Sequence, residues 1–351
     1  MLGLDVDSIR ATKDRPCPSF ETMSHFSKAF TYLILHPIRI LGWMTLSSLL
    51  PWVRTAKTHS AGLRDFLQGA IDAARRDLKL KSGIVNPPTG NSNRDEDISQ
   101  VAGKILRKMV NSTMDSGDRK GSERMAFTNE DIVSELHSLF IAGTETTSLT
   151  LCWAMYHLVK HPEAYARCRR EALEVAPTSD GIITTGEQLL KLVFCAAVFK
   201  EVARLHPVVQ FTFFHSTDKY TMRTGLEVEK GTTFGLLLRL AATSDENFTR
   251  AADFVPERWI DAEREEALLG KGAKEGQTAI NHVPEAFLTF GSGPRVCPGK
   301  DLANSEGAMV LAMICAQFDA SLAPGQADPP EQLYEILSGP KDVKLVFKKK
   351  E

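Results

Sequence analysis

A lone cysteine, an acid beside an alcohol, and an acid near two arginines are the residues whose types and spacing point to chemistry. The cysteine is Cys297, in FLTFGSGPRVCPGKDLA, Phe287 to Ala303. Gly291, Gly293 and Gly299 around it allow tight turns and close backbone approach. Pro298 suits the first turn of a helix, and the residues after it read helically, which puts Cys297 at a helix N-terminus. The helix dipole and unsatisfied N–H groups there favour a thiolate, the form of cysteine that ligates metals or acts as a nucleophile. Taken alone, Cys297 has three readings: a buried core thiol, a metal ligand, or a nucleophile whose histidine base must come from outside the loop.

The acid–alcohol pair is Glu145-Thr146, in FIAGTETTSLT, Phe140 to Thr150. Gly143 and four threonines are poor helix formers. One reading is a solvated helix face. The other is a local opening of the helix near Ala142-Gly143, where freed carbonyls hold a ligand or water and Glu145 and Thr146 pass protons. The third set is Glu201 and Arg204 in FKEVARLHP, three apart on one helix face, and Arg258 in FVPERWI. A surface ion pair is the plain reading. The apolar neighbours Val198, Phe199, Val202 and Leu205 favour the other, a buried carboxylate shared by two arginines as a structural lock.

The elements that must position these residues are mainly helical. Leu63, Phe66, Leu67, Ala70 and Ile71 form an amphipathic stripe. A helix of about 50 Å is predicted from Thr128, where Thr128 and Asp131 have capping-box spacing, to His161-Pro162. PEAYARCRREALEVA is a second helix with Pro162 in its first turn, and TGEQLLKLVFCAAVFKEVARLHP a further single long one. KYTMRT, LEVEKGT and DVKLVFK read as short strands, with hairpin turns at Gly225 and Lys230-Gly231. Residues 82–97, 111–126 and 261–285 read as flexible loops. The whole is one mainly α region, 1–351, with small β-sheets and no convincing internal boundary.

Bulk properties exclude several classes. The 351 residues are 43% apolar and 25% charged, ordinary for a globular chain with a sizeable core. A net charge of −2 argues against a nucleic-acid partner. None of the six cysteines forms a C-x-x-C pair, so a structural zinc site is not indicated, and mostly buried, free thiols suit a reducing compartment. No secretory signal opens the chain. Ala29 to Val53 is apolar but is interrupted by His36-Pro37, Arg39 and Pro51, short of the roughly 20 residues of a membrane span. Trp43 and Trp52 there suit peripheral membrane contact or a core.

Taken together, these segments resemble the cytochrome P450 family. FGSGPRVCPG is similar to its haem-binding loop, F-x-x-G-x-R-x-C-x-G, through Phe290, Gly293, Arg295, Cys297 and Gly299. AGTET is similar to the oxygen-binding helix motif, EVAR to E-x-x-R, and PERW to the segment that supplies a second arginine. The resemblance implies haem b with Cys297 as its axial thiolate, Arg295 on a propionate, and Phe290 and Gly291 packed in the loop. It implies Ala142, Gly143, Glu145 and Thr146 at the oxygen pocket, and Glu201, Arg204 and Arg258 holding the core in shape. His215 stands near where the family places another propionate arginine. An NADPH-dependent reductase, O2 and a hydrophobic substrate are the implied partners. The implied address is the cytoplasmic face of the endoplasmic reticulum membrane. Substrate contacts are expected from Phe20 to Trp52, Leu136 to Phe140, Val208 to Phe214 and Ile336 to Ser338.

GLDVDS and TETTSLTLCW look most like the branch that hydroxylates fatty acids. The aromatic run VVQFTFF suits a sterol, terpenoid or aromatic compound as well. The chain has no W-x-x-x-R motif, which in the family supplies a propionate arginine. The expected fold is therefore the cytochrome P450 fold without its N-terminal third. A non-catalytic fragment that cannot hold haem is a second reading, and a hydrolase using Cys297 is a third.

Overall fold

The computed structural model describes most of residues 64–76, together with 109–110, 128–260, 283–334 and 337–350. The expected loops 82–97 and 111–126, residues 261–282 of the third, and Ala29 to Val53 lie outside the described residues, as do Phe20 to Trp52 and Ile336. The chain divides into two compact units, Met1–Ala142 and Gly143–Glu351.

In the first unit Leu67, Ile71 and Ala74 recur at helical spacing and are fully buried. They pack with Val110, Ile132, Val133 and Leu136. Leu67 and Ile71 belong to the predicted stripe; Leu63, Phe66 and Ala70 lie outside the described residues. Helix α1, Asn129–Lys160, begins here and continues into the second unit. Its start is fixed reciprocally. The Thr128 N–H donates to Asp131 Oδ2 at 2.7 Å, and the Asp131 N–H donates to Thr128 Oγ1 at 3.1 Å.

The second unit adds α2 (Pro162–Val175), α3 (Gly186–Leu190), α4 (Val193–Leu205), α5 (Leu238–Ala242) and α6 (Lys300–Gln317). Its core joins Trp153 and Leu158 of α1, Cys168 and Ala172 of α2, Phe199 of α4 and Leu311 of α6. Helix α6 lies so close to α4 that a Cβ on Gly307 would overlap the Phe199 ring.

The single long helix expected from Thr185 to His206 is two. A capping box of Thr185 and Gln188 starts α3, which stops at Leu190, and α4 restarts at Val193. Its N-cap, Leu192, has no side chain that accepts a hydrogen bond. The acceptor comes from α2. The buried Glu171 carboxylate takes the Phe194 N–H at 2.6 Å and the Cys195 N–H at 2.8 Å. This capping from another helix fixes the break where local sequence shows none. Burial pushes the Glu171 carboxyl above the usual carboxylate range, against the two N–H donors that pull it down. Glu171→Gln keeps the shape but turns an amide NH2 toward an N–H. We expect a loss of about 1–3 kcal/mol in urea denaturation; an unchanged midpoint would contradict this role.

Among the described residues, four two-stranded antiparallel sheets complete the unit. Strand β1 (Phe211–His215) pairs with β4 (Thr233–Leu237), and β2 (Tyr220–Thr221) with β3 (Glu227–Val228). Strand β5 (Phe318–Leu322) pairs with β8 (Leu345–Lys349), and β6 (Gln332–Tyr334) with β7 (Ser338–Pro340). The predicted strands appear as β2, β3 and β8; β1, β4, β5, β6 and β7 are additional. Among the described residues, no helix is long and apolar enough to cross a membrane.

Candidate functional site

Glu201, Arg204 and Arg258 come together in the core of the second unit, with Glu201 and Arg204 fully buried. The valence of the carboxylate is filled. Glu201 Oε1 accepts from Arg204 Nη2 (2.8 Å), Arg258 Nε (3.0 Å) and the Val255 N–H (3.0 Å). Oε2 accepts from Arg204 Nε (3.0 Å) and the Trp259 indole N–H (2.8 Å). The remaining arginine donors find backbone oxygens: Arg204 those of Ala242, Ala251 and Asp253, Arg258 those of Thr249 and Arg250. One acid on α4 thus gathers the end of α5 and the whole segment from Thr249 to the 3₁₀ turn Pro256–Trp259. Trp259 is the member that the E-x-x-R spacing did not single out.

Trp259 carries the order of this network toward Cys297. Its ring lies 4.9 Å from that of Phe287, with Lys200 Nζ 4.1 Å above it. Phe287 meets Phe290 edge-on at 6.2 Å. The Phe290 carbonyl accepts the Cys297 N–H at 2.8 Å. Thr289 Oγ1 also donates to the Ala203 carbonyl of α4 at 3.0 Å.

The loop needs its glycines. Gly291 and Gly293 have φ of +72° and +64°, and Gly293 opens the 3₁₀ turn Gly293–Arg295. Helix α6 starts at Lys300 with Gly299 as N-cap, so Pro298 lies just outside the helix rather than in its first turn. The Lys300 N–H closes a turn back to the Cys297 carbonyl at 3.3 Å, which delays the helix. A Cβ on Gly299 would sit 3.8 Å from Cys297 Sγ. Phe290 is half-buried, whereas Arg295 and Cys297 are exposed. Exposure removes the core-thiol reading of Cys297, whereas Cys168, Cys195 and Cys315 are buried.

Helix α1 runs unbroken through Ala142, Gly143, Glu145 and Thr146. Of the two readings of this stretch, the local opening is absent. Ser148 Oγ donates to the Thr144 carbonyl at 2.7 Å and Thr150 Oγ1 to the Thr146 carbonyl at 3.0 Å, back-bonding within the helix. Glu145 and Thr146 are half-buried, Ala142 is exposed, and His215 is exposed at the end of β1, its Nδ1 3.2 Å from Thr233 Oγ1. A cleft of about 350 Å³ lies beside His215, bordered by Phe214, Asp218, Tyr220 and Phe234.

The family model for cytochrome P450 matches residues 19–347. The chain belongs to the cytochrome P450 family. It is 29% identical to a mitochondrial sterol 26-hydroxylase of Rattus norvegicus over 62% of this chain and 38% of that one. It is 30% identical to cytochrome P450 734A6 of Oryza sativa subsp. japonica over 68% of this chain and 42% of that one. The chain thus spans about two fifths of the length of these P450 relatives. In structure it resembles the crystallised haem domain of a cytochrome P450DA mutant, with TM-score 0.72 and 18% identity, covering 100% of this chain and 65% of that one. That likeness supports a P450 fold, mostly helical with small antiparallel sheets.

Cytochromes P450 hold a haem on a cysteine thiolate, and the loop fits that group. It offers an exposed thiol and, two residues before it, a guanidinium with no hydrogen bond or ion pair among the described residues. Gly299 leaves the space beside the sulfur clear, and the half-buried Phe290 flanks the turn.

Proposed function

We propose that this chain is the catalytic region of a haem-thiolate monooxygenase that inserts one oxygen atom from O2 into a hydrophobic organic substrate. The observation that carries this is the exposed Cys297 thiol on a loop braced, through Trp259, Phe287 and Phe290, by the buried Glu201 network. The Cys297 thiolate would hold haem b through its iron, and Arg295 would pair with a propionate. When bound, the haem supplies oxygen activation, and a thiolate ligand favours O–O cleavage. The chain's own residues do the rest. Glu145 carboxylate and Thr146 hydroxyl, adjacent on α1 with Gly143 and Ala142 just before them, hold and pass protons to the reacting oxygen. His215 stands as a second, weaker propionate partner.

The substrate is apolar. Phe211, Phe213, Phe214, Leu236 and Leu237 lie exposed on the β1–β4 sheet, in or beside one of the segments expected to meet it. A fatty acid remains the reading of the chain's own motifs; a sterol is favoured by the sterol 26-hydroxylases among its relatives. Electrons come from NADPH through a reductase. The family's usual address is the cytoplasmic face of the endoplasmic reticulum; the mitochondrial relatives favour mitochondria as the alternative, and cell fractionation distinguishes the two.

The test is the reduced carbon-monoxide difference spectrum of the purified, haem-loaded chain. A thiolate-type band is expected, lost entirely in Cys297→Ser. Absence of the band from the parent chain would overturn the reading and leave the fragment that cannot hold haem.

A further inference from the structure

One buried hydroxyl ties together two segments that are far apart in sequence. Ser338 is 1% exposed at the start of β7. Its Oγ accepts from Gln210 Nε2 and from Gln332 Nε2, each at 2.9 Å, and donates to the Leu333 carbonyl at 2.8 Å. Its backbone N–H donates to the Val208 carbonyl at 2.7 Å. All three hydrogen-bonding sites of the hydroxyl are thereby used. Gln210 sits one residue before β1, and its carbonyl accepts the Leu238 N–H at 2.8 Å. Gln332 Oε1 accepts from Arg239 Nη1 at 3.3 Å.

The next residue carries this junction to α1. A Cβ on Gly339 would overlap Leu149, so the β7 backbone rests directly on that side chain. Leu149 is three residues after Thr146, on the same helix face. The Ser338 hydroxyl therefore fixes, in one junction, the β6–β7 hairpin, the entry to β1 and the contact next to Thr146.

We propose that Ser338 is a positioning residue. Its hydroxyl makes the β6–β7 hairpin and the Val208–Gln210 segment move as one wall beside Thr146, and so sets how bulky a ligand that face admits. The proposal rests on the haem-monooxygenase reading for its consequence, but not for the coupling itself. A serine in an ordinary strand would contribute one replaceable hydrogen bond. Here its removal takes one hydrogen-bond partner at once from each of two half-buried glutamine amides and from the Leu333 carbonyl.

Two variants test it: Ser338→Ala, and the milder Gln210→Ala, which leaves the hydroxyl its bonds to Gln332 and Leu333. Hydrogen exchange on the full chain, with or without haem, reads the coupling. Faster exchange at both Val208–Gln210 and Leu333–Ser338 supports it; a change confined to one segment, or none, overturns it. In the haem-loaded chain, imidazole and 1-phenylimidazole are titrated as iron ligands by their Soret shift. We expect the ratio of their affinities to change about tenfold, with the reduced carbon-monoxide band unchanged. Both segments loosening with an unchanged ratio would reduce Ser338 to a structural bond and overturn the positioning role. If the parent shows no thiolate-type band, the monooxygenase reading fails, and hydrogen exchange still decides the coupling.

Discussion

Glu201→Ala is expected to lower the stability of the chain by about 3–5 kcal/mol and to loosen the Cys297 loop with it. The reason is the number of donors left behind. Two arginine side chains, one backbone N–H and the Trp259 indole all converge on this carboxylate, in a place that water does not reach. Alanine would leave two buried guanidiniums with no counter-charge, which costs far more than a lost surface pair. Glu201→Gln is the sharper variant, because it keeps the volume, removes the charge, and turns one acceptor into an amide NH2 that faces the donors converging there. It should fall between Glu201→Ala and Trp259→Phe, which removes a single hydrogen bond and is expected to cost about 1 kcal/mol. Urea denaturation of the haem-free chain gives the ranking. Hydrogen exchange at Phe290 and Cys297 shows whether loosening travels along the Trp259–Phe287–Phe290 contacts. A Glu201→Ala chain within 1 kcal/mol of the parent would show that the network is incidental.

What the sequence made legible is what local rules govern. The Thr128–Asp131 cap, Pro162 opening α2 and the Glu201–Arg204 spacing each depend on residues within one turn of one another, and the structure has all three. The glycines of the cysteine loop were legible because only a few residues tolerate their φ. What failed depends on distant partners. The break between α3 and α4 is set by Glu171 from another helix, more than 20 residues away in sequence. The threonine run in α1 is a different, local case: propensity left an opening as one of two readings, and the helix runs through it unbroken, with the Ser148 and Thr150 hydroxyls bonded back onto it. Strands β1 and β4 were missed because they pair with each other across the intervening β2 and β3, with no tight turn between them to mark a hairpin, and because the alternation of Gln210 to Phe213 is broken at once by Phe214. Trp259 was foreseeable: an indole beside an arginine that is destined for burial needs an acceptor for its N–H.

Acidification should destabilise the chain steeply through a half-buried histidine pair that no motif announced. His157 on α1 and His206 at the end of α4 face each other with Nε2 atoms 2.8 Å apart. At that distance one Nε2 carries the proton and the other accepts it. His206 is stacked on Trp153 at 3.8 Å, and His157 on Phe254 at 4.9 Å. Both Nδ1 atoms are buried without a hydrogen-bond partner, so an added proton finds no acceptor. The groups facing the pair do not rescue it. His161 lies beside His157, and Arg239 and Arg204 lie toward His206; all three oppose a further positive charge. Asp328, the nearby acid, is engaged by Tyr156 and Lys160. Both histidines stand at helix C-termini, where the dipole favours a cation, yet burial prevails. It drives His157 down to about 4 and His206 to about 3. The sign follows from linkage. The unfolded histidines charge near pH 6.5 and the folded ones do not, so the unfolded chain binds more protons below that pH. The contribution is complete above about pH 6.5 and is lost as pH falls toward about 4 and then about 3. Each histidine that stays neutral in the fold costs about 1.4 kcal/mol per pH unit in that window. His157→Phe/His206→Phe keeps the aromatic stacking and removes both protonation sites. Between about pH 6.5 and pH 5, above the range where most carboxylates titrate, urea midpoints of the parent should fall while those of the double variant stay nearly level. Parallel slopes for the two chains would show that the pair does not govern acid stability.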